Sequence, residues 1–382
     1  PAPADSLALY VHWPFCVSKC PYCDFNSHVR ESIDAQAWRA GLLADMAHEA
    51  ALTPGRRLSS IFFGGGTPSL MPPALVADLI AAADRHWGLS PDIEITLEAN
   101  PNSVEAARFA DIAAAGVNRV SLGLQALDND ALHFLGRAHD VDEGLAALAI
   151  AQRAFDRVSF DLIYARPHQS EADWEAELAR ALSFGVGHMS LYQLTIEPGT
   201  RFATLVQQGK LTPADPDHGA TLYELTQAMT ADAGIPAYEI SNHARPGQQS
   251  RHNLTYWRYG DYVGIGPGAH GRRGGMATLR HKKPENWMTA VGRNGHGLHS
   301  ETPLAAEERA SEALLMGLRL GEGVDLTRIA ALSGLPIGRF VDEPAIEKLG
   351  ALGLVARADQ HLRIEPPGML LLDALLPEIV SV

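Results

Sequence analysis

Three cysteines, Cys16, Cys20 and Cys23, stand within eight consecutive positions of a 382-residue chain that holds no others. They follow an apolar run, Leu7 to Val11, in the stretch Tyr10-Val-His-Trp-Pro-Phe-Cys16-Val-Ser-Lys-Cys20-Pro-Tyr-Cys23-Asp-Phe. Thiolates are soft donors that suit iron–sulfur clusters or zinc, and a short loop can present three of them to one metal centre. Three ligands on a four-iron cube leave one iron open, so the loop reads as a [4Fe–4S] site with chemistry at the open position. A disulfide framework calls for an even number of cysteines spread over a small secreted chain. Structural zinc needs a fourth ligand, for which His12, Asp24 or His28 could serve, but it usually draws on two separated ligand pairs. No second pair exists here.

Other residues suit a ligand beside that metal. Ser60-Ile-Phe-Phe-Gly64-Gly65-Gly66-Thr67-Pro68 is an apolar strand ending in three glycines, which permit close backbone approach and backbone angles closed to other residues. It is not a phosphate loop, because no Lys-Ser/Thr follows. Gly264 to Ala269 nominally fits a dinucleotide fingerprint, but Pro267 removes an N–H donor and no strand–turn–helix surrounds it. Glu98, Gln125, Arg137 and Asp161 lie on or just past apolar strands. A buried carboxylate without a partner is costly, so each should face a mouth or a ligand. Ribose hydroxyls suit carboxylate acceptors and a ligand carboxylate suits Arg137, so the set favours a nucleotide-like ligand. His252 sits in Arg251-His-Asn253-Leu-Thr-Tyr256-Trp257. Imidazole can ligate haem iron, aromatic rings pack against a porphyrin and arginine can meet its propionates. The residues alone leave open a plainer reading, an aromatic loop packed on the fold with His252 merely hydrogen-bonded.

The elements that must position these residues form a repeat. The hydrophobic spacing predicts helices over 33–52, 73–87, 104–115, 128–135, 141–154, 171–184 and 215–233, and strands at 60–64, 92–98, 120–125, 157–164 and 189–196 after the first, 7–11. Six strands separated by helices imply a parallel sheet with right-handed crossovers. Cys16, Gly65, Glu98, Gln125, Asp161 and Gln193 fall at successive strand ends, as they would at the mouth of a barrel. The expected fold is α/β, a partial (β/α)6 barrel over 1–235 with a mixed α/β domain over 236–382. Within the latter, 237–241 could add a strand, 250–260 is a loop-rich aromatic segment and the candidate haem-binding one, and helices followed by a hairpin make a winged-helix-like end over 303–382.

Composition bounds the rest. The hydrophobic fraction is 46%, an ordinary globular mix, and the net charge is −14, so nucleic acid and anionic membrane surfaces are poor general partners. No apolar run approaches the roughly 20 residues of a membrane span and no secretory signal opens the chain. The expected location is the cytoplasm.

The cysteine motif, with Tyr22 inside it and Gly-Gly-Gly-Thr-Pro at a strand end, resembles the radical S-adenosylmethionine (SAM) superfamily. Tyr10-x-His12-x-Pro14-Phe15-Cys16, Glu98-Ala-Asn-Pro101, Gln125, Arg137 and Phe160-Asp161-Leu-Ile-Tyr164 resemble its oxygen-independent coproporphyrinogen dehydrogenase group, over essentially the whole chain. The resemblance implies a [4Fe–4S] cluster on Cys16, Cys20 and Cys23 with the methionyl group of SAM on the open iron. It implies further that Gly65, Gly66 and Thr67, with Tyr10, Tyr22, Glu98, Gln125, Arg137 and Asp161, line the SAM region. Cluster reduction would then cleave SAM to a 5′-deoxyadenosyl radical. The dehydrogenase branch carries a further cysteine two residues after the third, where this chain has Phe25, and usually a longer leading segment. His252-Asn253-x-x-Tyr256-Trp257, Glu239-Ile-Ser-Asn242 and Ile196-Glu-Pro-Gly-Thr200 match instead the HemW-type haem chaperone branch. That branch implies haem on His252, Asn253, Tyr256 and Trp257, and delivery to respiratory haem proteins, peripherally at the inner membrane, with a haem donor and a reductant as further partners and a homodimer left open. The alternative is coproporphyrinogen III oxidative decarboxylation. One departure is Ala165-Arg166-Pro167-His168, where the group usually reads Gly-Leu-Pro-Gly. Bulk there bears on the local contribution to SAM binding, which the residues leave open.

Overall fold

A computed structural model describes residues 6–30 and 32–381. Six strands, β1 (Ser6–Trp13), β2 (Arg57–Gly65), β3 (Leu89–Ala99), β4 (Arg119–Gln125), β5 (Arg157–Tyr164) and β6 (His188–Gln193), pair in chain order, all parallel. The crossovers carry the helices Ala35–Leu52, Pro73–Trp87, Val141–Ala154 and Glu171–Leu182, and Pro216–Asp232 follows β6. The partial barrel is therefore present, and the described strands form an open sheet rather than a closed one.

The alternation along each strand decides what faces where. Leu7, Leu9 and Val11 of β1, Ile61 and Phe63 of β2, and Ile95 and Leu97 of β3 are buried in one large core against the helices. Val120 and Leu122 of β4 and Phe160 and Leu162 of β5 join them. Successive strand side chains point to opposite faces, so the other set turns inward: Tyr10 and His12, Ser60 and Phe62, Glu94, Thr96 and Glu98, Arg119 and Ser121, Ser159 and Asp161, His188 and Ser190. The interior of the half-barrel is polar and aromatic, not packed with branched aliphatic residues.

The second half of the chain departs from expectation. Strand β7 is Asn242–Ala244, not 237–241, and lies antiparallel to β6; Ala237 folds back to bridge His243. Strand β8 (Tyr262–Ile265) runs parallel to β1 on its free side. Strands β9 (His270–Arg273), β10 (Met276–Arg280) and β11 (Leu298–Pro303) then continue the sheet antiparallel to eleven strands. A division at 235 thus separates strands hydrogen-bonded within one sheet. Val263, Ile265, Trp287 and Val291 also belong to the large core. Buried Arg273 and Arg280 pin this extension to helix Ala35–Leu52 through Asp45 and Glu49. A second core starts near residue 304, where helices Ala306–Gly317, Leu326–Ser333 and Glu343–Ala351 pack with a three-stranded antiparallel sheet. Helices plus a β-hairpin, Val355–Ala358 with His361–Ile364, make the expected winged-helix-like end.

Two local expectations change. The helix expected over 104–115 is broken into Ser103–Ala106 and Phe109–Ala114. Glu105 is held by Ser69, Asn100 and Asn102, while Arg108 reaches back to the Ser69 and Met71 carbonyls, which fixes the first turn apart from the second. The segment expected as loop over 250–260 contains a helix, Arg251–Trp257, capped by the Ser250 hydroxyl accepting from Asn253 N.

Candidate functional site

Cys16, Cys20 and Cys23 are free, half-buried and face one cavity of about 200 Å³ at the C-terminal strand ends. Tyr22, Gly65, Gly66, Thr67, Glu98, Gln125, Arg137 and Asp161 line the same space. The loop is held by a continuous polar chain. The Thr67 hydroxyl donates to Cys16 Sγ at 3.4 Å and accepts from Asn100 Nδ2 at 3.2 Å. Asn100 Oδ1 accepts from Arg137 Nη2 at 2.7 Å, and Arg137 Nη1 donates to Cys20 Sγ at 3.4 Å. Such donors to sulfur orient ligands and tune a cluster's potential. Burial raises the Cys16 and Cys23 thiols above their ordinary value, so a metal has to displace their protons. Among the described residues no three ligating side chains close on a single ion. Three soft donors on one short loop facing one cavity would suit an iron–sulfur cluster.

The glycines serve this loop more directly than they serve a ligand. A Cβ on Gly65 (φ +115°) would stand 2.7 Å from the His12 ring, and one on Gly66 would stand 2.6 Å from the Phe15 carbonyl oxygen. The strand end must therefore be bare for the cysteine loop to pass over it. The rejected fingerprint at 264–269 has a similar explanation. Gly266 and Gly268, both at positive φ, make room for the His12 carbonyl and the Asn26 side chain. Asn26 Nδ2 bonds the Pro267 and Lys282 carbonyls at 2.9 Å each, and the Asn26 carbonyl is 2.9 Å from His12 Nε2. The end of the cysteine loop is thus tied to the β8–β9 turn.

Gln125 adopts φ +71°, rare for a side-chain-bearing residue, and its Oε1 is buried without a protein partner. Strain and an orphaned acceptor at a cavity wall mark a ligand contact. Burial, then the Asp161 charge, pushes Glu98 up to about 8, and burial pushes Asp161 up to about 6. Glu98 Oε2 accepts from Gly65 N at 3.3 Å, and Asp161 Oδ1 accepts from Ser121 Oγ at 3.4 Å. Carboxyls this loosely satisfied are ready for ribose hydroxyls, and the residues present fit SAM.

Glu98, Ser121, Asp161, Gly65 and Phe25 also line a second, larger cavity of about 780 Å³ that runs into the barrel interior. Tyr10, His252, Asn253 and Tyr256 line it too. His252 enters the barrel, is 5% exposed, and stacks on Phe62 with ring centroids 4.9 Å apart. Its Nδ1 is 3.2 Å from Ser60 Oγ and its backbone N–H donates to Glu94. Burial lowers it to about 4, so the imidazole is neutral, the form that ligates metals. Nothing among the described residues occupies its Nε2.

Some expected residues lie elsewhere. Trp257 lines neither cavity; its indole packs on Tyr256 at 5.2 Å and its Nε1 is buried without a partner. Arg251, expected to meet propionates, points outward to Asp92. Gln193 is exposed and bonds the Gly219 carbonyl. The Ala165–His168 departure borders neither cavity. Ala165 and His168 occupy positive φ, where glycine is free of strain, and Arg166 is held by Glu177 at 2.5 Å and by the Ile163 carbonyl. Asn100 and Arg119 were missed as site residues, although the alternation Arg119-x-Ser121-x-Gly123-x-Gln125 is a period-2 signal for one polar inward face.

Comparison with known proteins agrees with this geometry. Residues 10–181 match the radical SAM superfamily and residues 304–371 match the HemN C-terminal domain. The chain is 41% identical to radical S-adenosyl methionine domain-containing protein 1, mitochondrial, of Bos taurus, covering all of this chain and 89% of that protein. It is 37% identical to the heme chaperone HemW of Escherichia coli strain K12, over 97% of both. The structure superposes on coproporphyrinogen III oxidase (HemN) of Escherichia coli with TM-score 0.82 and 22% identity, covering 98% of this chain and 89% of that one, a likeness of fold. No helix among the described residues is long and apolar enough to cross a membrane. Radical SAM membership implies a [4Fe–4S] cluster and SAM, and across its length the chain belongs to the HemW family of that superfamily.

Proposed function

We propose that this chain is a haem chaperone: it holds a [4Fe–4S] cluster on Cys16, Cys20 and Cys23, SAM beside it, and haem in the inner cavity, and passes haem to respiratory haem proteins. The observation that carries the reading is the large cavity that opens from the cysteine site and ends on His252. At about 780 Å³ it is within the range of small-molecule and cofactor sites. Its walls are aromatic, with Tyr10, Phe62, Tyr192, Tyr256 and Tyr262, and of its buried imidazoles that of His252 is neutral with no partner at Nε2 among the described residues. When bound, the cluster and SAM supply low-potential one-electron chemistry. The protein's own part is to orient. Thr67, Asn100 and Arg137 brace two of the thiolates, Glu98 and Asp161 offer carboxyl oxygens, and Ser60, at the Nδ1 edge, holds the ring plane of His252. At the mouth shared by both cavities position 25 presents a phenyl ring, 61% exposed, and no fourth thiol.

The test is to mix anaerobically reconstituted protein with haem and, separately, with coproporphyrinogen III, SAM and a reductant. Stable stoichiometric haem binding without protoporphyrinogen supports the reading, and protoporphyrinogen formation refutes it in favour of the dehydrogenase. His252→Ala is expected to shift the haem absorption spectrum. An unchanged spectrum removes His252 as axial ligand.

A further inference from the structure

Among the described residues, the inner cavity holds a buried cation with no carboxylate in contact. Arg119 opens β4, its side chain turns inward by the strand alternation, and it lines the cavity that His252 enters. In register it sits opposite Thr96, which sits opposite Phe62, so guanidinium, aromatic wall and imidazole occupy adjoining positions on the cavity floor. Arg119 is 2% exposed, yet among the described residues its one side-chain hydrogen bond is from Nη1 to Thr96 Oγ1 at 3.4 Å. The other buried arginines are compensated. Arg166 is paired with Glu177, Arg273 with Glu49 and Glu301, and Arg280 with Asp45 and Glu49, while Arg272 lies 3.5 Å over the Tyr259 ring. The carboxylates that feel the Arg119 charge, Glu94, Glu98 and Asp161, make their hydrogen bonds with other groups. Glu94 is held by Arg157 at 2.6 Å, Glu98 accepts from Gly65 N, and Asp161 accepts from Ser121. Burial raises Glu98 to about 8, which weakens it as a counter-charge at neutral pH, whereas Asp161, raised to about 6, stays largely ionised but makes no contact with the guanidinium.

With Glu94 and Asp161 acting on it only at a distance, the guanidinium keeps donors that no contact among the described residues uses, and its fork of donors matches a carboxylate. We propose that Arg119 is the anion receptor of the inner cavity and pairs with a carboxylate of the tetrapyrrole bound there. The assignment rests on reading this cavity as the haem site, and it gives Arg119 the role that Arg251, turned outward to Asp92, does not fill. The methionyl carboxylate of SAM is the other carboxylate at hand, but the arginine lining the cysteine cavity is Arg137; Arg119 does not line it.

The experiment titrates the reconstituted protein with haem and with haem dimethyl ester, whose propionates carry no charge, and measures SAM affinity by equilibrium dialysis. Esterification is expected to weaken binding to the parent protein by roughly 10-fold or more, the scale of a hydrogen bond to a charged group. Arg119→Gln should weaken haem by a similar factor, leave the ester unaffected and leave SAM affinity unchanged. Arg119→Lys, which keeps the charge, should retain part of the preference for the free acid. Equal binding of haem and its ester by the parent overturns the proposal, and that comparison needs no variant to fold. Loss of SAM with haem retained in Arg119→Gln overturns it too, by moving the contact to the other ligand. A parent that binds no haem at all refutes the underlying reading of the cavity instead.

Discussion

Replacing Gly66 by alanine tests whether the glycine run exists to let the cysteine loop pass. The new Cβ would stand 2.6 Å from the Phe15 carbonyl oxygen and 2.9 Å from the Phe15 carbonyl carbon and nitrogen. Neither side can yield cheaply. Gly66 N donates to the Trp13 carbonyl at 2.7 Å and Thr67 N to the Phe15 carbonyl at 2.8 Å, so the two segments are locked at this spacing. Phe15 is 3% exposed and packs edge-on against Trp13 and Trp38 at 5.2 and 5.0 Å. Overpacking of this kind costs about 1–3 kcal/mol, and each backbone bond broken to relieve it adds roughly 1 kcal/mol. We expect a loss of about 3 kcal/mol in denaturant unfolding of the apo-protein. Because Phe15 directly precedes Cys16, displacement also draws Cys16 Sγ away from Thr67, so iron content after anaerobic reconstitution should fall. Gly292→Ala is the control: it lies inside helix Pro284–Asn294 with nothing within 4 Å of the new Cβ, and should gain up to about 1 kcal/mol. A Gly66→Ala protein as stable as its parent and fully loaded with iron would refute the close-approach argument.

Two further outcomes follow from buried charge. Glu98 in the folded protein titrates near 8 instead of 4.5, so between those values the native state keeps a proton that the unfolded chain has released. Apo-protein stability should therefore fall as pH rises from about 4.5 to 8, by up to a few kcal/mol, and Glu98→Gln should flatten the profile; parallel curves for the two proteins would show that Glu98 is not the group responsible. Arg166→Leu, although leucine is the residue usual in the wider group, should destabilise by about 3 kcal/mol by stranding Glu177, which is 8% exposed. Adding Glu177→Gln should recover much of that loss in thermal unfolding, and no recovery would show that the ion pair is not the cause.

What the sequence revealed is what short-range pattern encodes. The cysteine spacing, the glycine run and the β/α alternation each occupy a few tens of residues, and β5 and helix Pro73–Trp87 fall where their periodicity predicts. The placement of β8 against β1 was not legible, because it joins Tyr10 to Gly264 across more than half the chain, and no local signal records such a pairing. Arg119 was passed over for a different reason. The strand-end pattern singles out Glu98, Gln125 and Asp161 but not the residues one and two layers below them, where alternation alone points the guanidinium inward. The inner face of β4 reads Arg, Ser, Gly, Gln. An aliphatic interior would have read otherwise, so the ligand-sized space was implied by composition at every second position.

The segment Arg251–Trp257 shows why a loop reading failed, and what its helix is for. His, Asn, Thr, Tyr and Trp are indifferent helix formers, and an isolated helix of seven residues is far too short to persist. It forms because both ends are fixed from outside. At its start Ser250 caps it and His252 is buried between Ser60, Phe62 and Glu94. Just past its end, Arg258 pairs with Glu322 at 2.6 Å and Tyr259 enters the second core, its hydroxyl donating to Glu312 at 2.6 Å. The element therefore answers to two cores at once. The residues that touch the cavity, His252, Asn253 and Tyr256, occupy the same two turns that hold the second core to the barrel. His252 and Tyr256 thus line the cavity from the same short element that leads into the second core through Tyr259.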